Sequence, residues 1–419
     1  MSRQRPLSRE PLEAVIDGFT HGGEGVARVE GKAVFVAGTL PGERVLLRVV
    51  DDRARWARAE LVDVLLPSPD RVTPPCPYVP ECGGCDLQHA APAAQRALKT
   101  RVVTEQLSRI GGVDAPPVEP CRAVGPDTAY RTNARFHASP DGRLGFHRAG
   151  SNEVVPIDRC LVLSGPAQTV RDGVGDTSGA VEVAVRAHAT TGAAAAILTP
   201  GSGGLDLPGG PFDLLLQQPD GGTVAMRGDG VLSEEVSGLT FRFDADGFFQ
   251  VSTYGARALV DVVLAAAGDV RGALTWDLYA GVGLLSLPLA RASAEVVAVE
   301  ARAASAAHAE ANAEAAGLEL TVIGEDVGAV LRRAVAGAAD LEPPDLVVLD
   351  PPRAGAGRQV VADLAALEPA TIVYVACDVA ALARDTRELA AAGYRLLHAV
   401  PLDLFPMTHH VEVVATFAS

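Results

Sequence analysis

The sequence predicts an α/β protein: a small N-terminal β-barrel, an α+β middle segment carrying a cysteine cluster, and an open, mostly parallel sheet covered by helices. Three observations carry this. Residues 11–66 are short alternating segments broken by Gly, Pro or Asp. From about residue 255, strand-like and helix-like segments alternate. The chain has 419 residues, too many for one ordinary domain. Boundaries are expected at 1–67, 68–245 and 246–419.

The first segments run EAVIDGF, GVARVEG, KAVFVAG, GERVLLRVV and RWARAELVDVL. Five strands in so short a stretch suggest an OB-like barrel, a common nucleic-acid binder, though a purely structural module reads equally well. PSPDRVTPPCPYVPEC is a linker or stiff loop. A helix follows at about 93–111, with Leu98, Val102 and Leu107 near one face and Gly111-Gly112 to end it. Hairpins are expected over 130–160, turning at Asp141-Gly142. Residues 165–235 are rich in Ala and Gly and show little pattern.

The C-terminal part reads ALTWDLY, helix, EVVAVE, helix, LTVIGED, helix, DLVVLDPP, helix, TIVYVACD, helix, YRLLHAV and HVEVVATF. The last two strands have no helix between them and should pair antiparallel. A parallel sheet finished by such a hairpin is the usual plan of class I S-adenosylmethionine methyltransferases.

Apolar residues make up 48% and charged residues 21%, so a disordered chain is excluded. No 18-residue apolar run and no apolar leader occur, so a cytoplasmic monomer with no membrane attachment is expected. The net charge is −16, but residues 1–150 hold 20 Lys+Arg against 18 Asp+Glu, a balance of +2. An RNA-facing surface in that third is compatible with the acidic total, because local field outweighs net charge.

Several constellations carry chemistry. In Asp277-Leu-Tyr279-Ala-Gly281-Val-Gly283 the glycines let a ligand approach the backbone. The next strand ends in Glu300, where a carboxylate can accept ribose hydroxyls, and the third leads to Glu325-Asp326, suited to an adenine edge. Asp350-Pro-Pro-Arg353 follows the fourth strand, at the end where open α/β sheets bind ligands. Cys377 follows the fifth, where Arg353 is expected to favour its thiolate. His409-His410-Val411-Glu412 opens the last strand; in isolation a Glu there reads as a solvated surface residue. Cys76, Cys82 and Cys85 surround one turn, with Cys160 a distant fourth. In a cytoplasmic chain this means zinc or an iron–sulfur cluster before a disulfide. Cys121 fits no motif.

Together these pieces resemble the RNA uracil-5-methyltransferases. The matching stretches are CPYVPECGGCDLQH, GFHRAGSNEVVPIDRC, FFQVST, DLYAGVGLLSLPLA, DPPRAG, YVACDVAALARD and FPMTHHVE, in family order, and residues 11–66 resemble the TRAM module. The resemblance implies S-adenosylmethionine held by Gln250, Tyr279, Gly281, Glu300, Asp326 and Asp350. It implies Cys377 as nucleophile, Glu412 as base, and a 4Fe–4S cluster on Cys76, Cys82, Cys85 and Cys160. The implied reaction methylates carbon 5 of a uridine in RNA through a covalent Cys–uracil intermediate, with ribosomal RNA favoured over transfer RNA because transfer-RNA members often lack the barrel. This chain departs from the family pattern at Ser252, Ala280, Leu284 and Asp378-Val379, where Asn, Cys, Asn and Asn-Pro are usual. Asp378 is expected to raise the thiol pKa. The rival readings are an RNA cytosine-5-methyltransferase, for which the HVE ending is out of place, and a cluster-containing RNA-binding protein with an inactive fold, against which Cys377 and Glu412 weigh.

Overall fold

The computed structural model describes residues 7–176, 179–292, 295–339 and 341–419. Strands β1 (Leu12–Phe19), β2 (Gly25–Val29), β3 (Lys32–Val36), β4 (Arg44–Asp52) and β5 (Trp56–Leu66) close a barrel in the order β1-β2-β3-β5-β4. Their alternation points Ile16, Ala27, Val34, Val36, Val45, Leu47 and Ala57 inward, all fully buried. Each large one among them contributes about 1.5–3 kcal/mol, and closure removes the exposed edges.

Helix α1 (Pro92–Arg109) begins with Pro in its first turn, where the missing N–H costs nothing, and Gly112 at φ 72° follows its end. Its Leu98 and Val102 are buried with Leu87 and Ala90 against Phe19 and Leu40 of the barrel. Lys99, also buried, bonds Oδ1 of Asp403 at 2.5 Å and the Phe405 carbonyl at 3.1 Å. Burial of that charge is tolerable because it is paired.

After the two-residue β6 (Arg122–Ala123) come β7 (Asn133–Ala138), β8 (Leu144–His147), β9 (Val154–Pro156), α2 (Gly165–Val174), β10 (Ala180–Ala187), β11 (Ala194–Pro200), β12 (Asp213–Gln217) and β13 (Thr223–Arg227). Seven of these strands form one sheet in the order β13-β12-β11-β10-β7-β8-β9. The stretch that reads as poorly patterned is therefore regular. Its inward residues include Ala180, Val183, Val185, Ala187, Ala195, Ala196 and Leu198, and so many alanines give little hydrophobic contrast to read. A separate hairpin, β14 (Val231–Val236) and β15 (Leu239–Asp244), turns at Ser237-Gly238, both at positive φ as a tight hairpin requires.

The last sheet is built from β16 (Leu274–Leu278), β17 (Glu295–Val299), β18 (Thr321–Ile323), β19 (Leu346–Leu349), β20 (Thr371–Ala376), β21 (Arg395–Asp403) and β22 (Glu412–Ala418). The helices are α3 (Thr253–Ala267), α4 (Ser286–Ala292), α5 (Ala303–Ala316), α6 (Val327–Val335), α7 (Gly357–Ala366) and α8 (Val379–Ala391). The strand order is β18-β17-β16-β19-β20-β22-β21-β6, with β22 antiparallel to both neighbours. Runs such as LVVL and TIVYVA are apolar throughout because helices cover both faces. The helix at about 93–111 was expected to pack on the catalytic domain, and α1 lies on α8; the parallel pairing of β6 with β21 was not expected, and with both contacts segment 68–245 is not self-contained. Among the described residues no helix is long and apolar enough to cross a membrane.

Candidate active site

The sheet topology lines up the chemistry. Parallel strands β18, β17, β16, β19 and β20 present their C-terminal ends at one edge. Because β22 runs the other way, with Val413 opposite Ala376, its start lies at that same edge. Asp326, Glu300, Tyr279, Asp350, Cys377 and Glu412 therefore form one row.

At the nucleophile end, Glu412 is only 4% exposed, so it is no surface residue. Burial pushes its carboxyl well above the usual range, with the Asp350 carboxylate adding to this and Arg353 opposing it. Burial likewise raises Asp350, to about 7. The Cys377 thiol is pushed up to about 11, first by burial and then by the Glu412 and Asp350 carboxylates. Arg353 acts in the thiolate's favour, as expected, but is outweighed. The resting thiol is protonated at neutral pH.

Asp378 is not the main source of that shift. Its Oδ1 accepts from Ala381 N at 2.7 Å, capping α8, and Oδ2 lies 3.2 Å from Nε2 of His21. Burial works against its ionised form, but these bonds hold its carboxyl below the usual range. Val379, in place of the usual Pro, is fully buried at the start of α8.

Along the row, Tyr279 and Gly281 adopt left-handed φ values of 65° and 57°. A Cβ on Gly281 would meet nothing within 4 Å, whereas one on Gly283 would strike Leu287 at 2.6 Å. Gly281 thus opens onto a space a ligand can enter, and Gly283 serves packing. Glu300 accepts from Gly281 N at 2.9 Å and from Arg302 N at 2.7 Å, which locks its carboxylate in place. Each oxygen keeps a free lone pair for a ligand hydroxyl. Asp326 caps α6 through Ala329 N at 3.0 Å. Buried Asp277, pushed by burial to about 7, accepts from Ser286 Oγ at 2.5 Å. Gln250 is 8% exposed on the segment entering α3, which Ser252 caps through Gly255 N at 3.2 Å. Ser caps as well as the usual Asn. Leu284 and Ala280 are buried and pack locally.

Cys76, Cys82, Cys85 and Cys160 line a single cavity of about 250 Å³, with Val79, Phe146 and Ile157 among its apolar walls. Burial raises Cys82, Cys85 and Cys160, Cys85 to about 12, and the thiols raise one another. Among the described residues, no three His, Cys, Asp or Glu side chains close to the spacing of a single metal ion's ligands. Cys121 lies apart, buried in the core beside α8.

Two contributors escape sequence reading. Asp86, next to Cys85, accepts from His409 N at 2.8 Å and also pairs with its imidazole. The Asp86 and Leu87 amides donate to the Met407 carbonyl at 3.2 and 3.0 Å, so the cysteine loop braces the lead-in to Glu412. The other is His21, in a polar Gly-rich loop that signals only a turn.

Comparison with known proteins places these features. The family model described as tRNA (Uracil-5-)-methyltransferase matches residues 229–417, and the TRAM domain model matches residues 8–62. An uncharacterized RNA methyltransferase of Streptomyces avermitilis is 38% identical, over 97% of this chain and 98% of its own. The 23S rRNA (uracil(1939)-C(5))-methyltransferase RlmD of Aeromonas salmonicida is 33% identical, over 99% of this chain and 98% of its own. In fold, the chain matches Pyrococcus abyssi tRNA (uracil-54, C5)-methyltransferase, solved with S-adenosyl-L-homocysteine, at TM-score 0.76 and 23% identity, covering 97% of this chain and 99% of that one.

Proposed function

The chain belongs to the RNA (uracil-5-)-methyltransferase family and is an S-adenosylmethionine-dependent enzyme of that class; on this premise we propose that it acts on ribosomal RNA through a covalent bond between Cys377 and the target uracil. The observation that carries this reading is the convergence of Cys377, Glu412 and Asp350 at one sheet edge, where Cys377 feels the charge of both carboxylates and Glu412 that of Asp350.

Carbon 5 of uracil is a weak nucleophile, so electrons must be pushed into the ring. Cys377 gives up its proton to solvent, and its thiolate adds to carbon 6, leaving carbanion character at carbon 5. S-adenosylmethionine supplies the methyl group that carbon 5 takes up. Glu412 then removes the carbon 5 proton, and departure of the thiolate restores the ring. A carboxyl raised by burial suits this task, being a stronger base than an exposed one. Gln250, Tyr279, Gly281, Glu300, Asp326 and Asp350 hold the donor, and the open space over Gly281 supports that placement.

The RNA lies along a groove between barrel and α1, of about 630 Å³, lined by Arg28, Arg58, Arg101, Arg109 and Phe35 and reaching His21. Asp17, Glu24 and Glu105 line it too, Glu24 pairing with Arg58 and Glu105 with Arg101 and Arg109, so its positive excess is small. Arg58 stacks over Trp56 at 5.8 Å, so charge and stacking surface sit together, as single-stranded RNA requires. The target base is flipped out to reach Cys377. The presence of a barrel is no argument for ribosomal RNA, because the Pyrococcus abyssi transfer-RNA enzyme shares the fold over 97% of this chain. The full-length likeness to a 23S rRNA enzyme supports the ribosomal assignment, and with it a cytoplasmic location. Mapping 5-methyluridine in total RNA from cells with and without the gene tests this. Loss from the large ribosomal RNA is expected, and loss confined to transfer RNA overturns the substrate choice alone.

Cys76, Cys82, Cys85 and Cys160 hold a 4Fe–4S cluster. Four thiols around one apolar-walled cavity of about 250 Å³ support a group of cluster size. Protein purified without oxygen should contain iron and acid-labile sulfide at about four each per chain. Stoichiometric zinc without iron would refute the cluster.

A further inference from the structure

The β1–β2 loop of the barrel reaches the residue beside the nucleophile. His21 Nε2 stands 3.2 Å from Asp378 Oδ2, across 357 positions of sequence, while Asp378 Oδ1 caps α8 at 2.7 Å. One carboxylate thus joins the barrel to the helix that begins just after Cys377. The loop is itself stiff. Thr20 N donates to the Glu24 carbonyl at 2.8 Å, Gly23 N to the Thr20 carbonyl at 3.1 Å, and Glu24 N to Thr20 Oγ1 at 3.1 Å. Gly23 has φ 81°, and a Cβ there would lie 2.9 Å from that of His409, so the loop abuts the segment leading to Glu412. Behind it, Phe19 and Leu40 are buried against Leu98 and Val102 of α1, and α1 packs on α8. Barrel, helix and nucleophile loop form a closed circuit of contacts, which the His21–Asp378 bond joins at the nucleophile loop and the Arg101 bond to the Asp17 carbonyl, at 3.4 Å, at the helix.

We propose that His21 is a positioning residue for methyl transfer: by donating to Asp378 it holds the loop of Cys377, so the barrel is part of the catalytic unit and not only an RNA-binding module. This rests on Cys377 being the nucleophile. Losing the bond frees the loop and leaves Asp378, next in sequence to Cys377, with only the Ala381 amide and Arg384 as partners. The charged groups facing the thiol are Glu412 from β22 and Asp350 and Arg353 from the loop after β19, while Asp378 faces Arg384 of α8 as well as His21. His21 is the member that comes from the barrel. It also lies on the arginine-lined groove, so RNA bound there presses on this link.

The test uses the full chain, labelled S-adenosylmethionine and total RNA from cells lacking the gene, with His21→Ala, His21→Gln, Asp378→Ser and the His21→Ala/Asp378→Ser pair. Ser keeps the helix cap but is too short to reach His21. His21→Ala should lower kcat about tenfold, with the KM for S-adenosylmethionine unchanged. In RNA-free protein it should slow alkylation of Cys377 at pH 8 about fivefold, read by mass spectrometry of that peptide. His21→Gln, which can still donate, should restore most of both. In the Asp378→Ser background, His21→Ala should change neither. If the two substitutions multiply, or if only the KM for RNA rises while alkylation is unaltered, His21 belongs to the RNA surface and the proposal falls. Cys377→Ala assayed alongside separates this failure from failure of the nucleophile assignment, since activity in that variant refutes the latter alone.

Discussion

Replacing Cys377 with Ala abolishes methyl transfer, by about three orders of magnitude or more, because no other group on the row can add to carbon 6. S-adenosylmethionine binding should stay within about twofold, since of the donor contacts only Asp350 interacts with the thiol, and Gln250, Tyr279, Gly281, Glu300 and Asp326 do not. The fold should tolerate the change. Cys377 is only half-buried and stands outside the core clusters, while Ala376 before it and Val379 after it keep their packing. Calorimetric titration with the donor, beside a methyl-transfer assay, separates the two effects. Near-normal formation of 5-methyluridine by the variant would remove Cys377 from the mechanism.

Replacing Glu412 with Gln should trap a covalent RNA–protein adduct. Addition by Cys377 and methylation precede proton removal, and the thiolate cannot leave until the carbon 5 proton has gone. Gln keeps the size of Glu412 but cannot accept that proton at neutral pH. The electrostatics do not oppose accumulation. The Glu412 carboxylate is, after burial, the foremost influence raising the Cys377 thiol, so a neutral Gln in its place does not hinder the first step. Turnover should fall by about two to four orders of magnitude, the usual worth of a positioned base. The adduct should survive denaturing electrophoresis, carry the transferred methyl group, and vanish when Cys377→Ala is added. Free turnover, or a stall with unmethylated RNA and no adduct, would assign the base to another group.

How much of this was legible without coordinates follows from what a local pattern can encode. Alternation in residues 11–66 specifies strands, and the absence of a helix between YRLLHAV and HVEVVATF specifies an antiparallel end to the sheet, because period and connection length are local properties. Residues 180–200 were opaque for the same reason: alanine strands bury little and contrast little with their flanks. Linear motifs likewise named Asp350, Cys377 and Glu412. Only tertiary structure decided their condition. Burial raises all three, neighbouring carboxylates add to it at Cys377 and Glu412, and these effects overrule Arg353 and Asp378 as the residues that set the thiol, because desolvation depends on what surrounds a group and not on its neighbours in sequence. The same holds for β6 at the sheet edge, Asp86 behind His409 and His21 against Asp378. By itself the sequence determined which elements and reacting groups this protein has; which of them touch was decided by packing between segments hundreds of residues apart, a relation that no local periodicity carries.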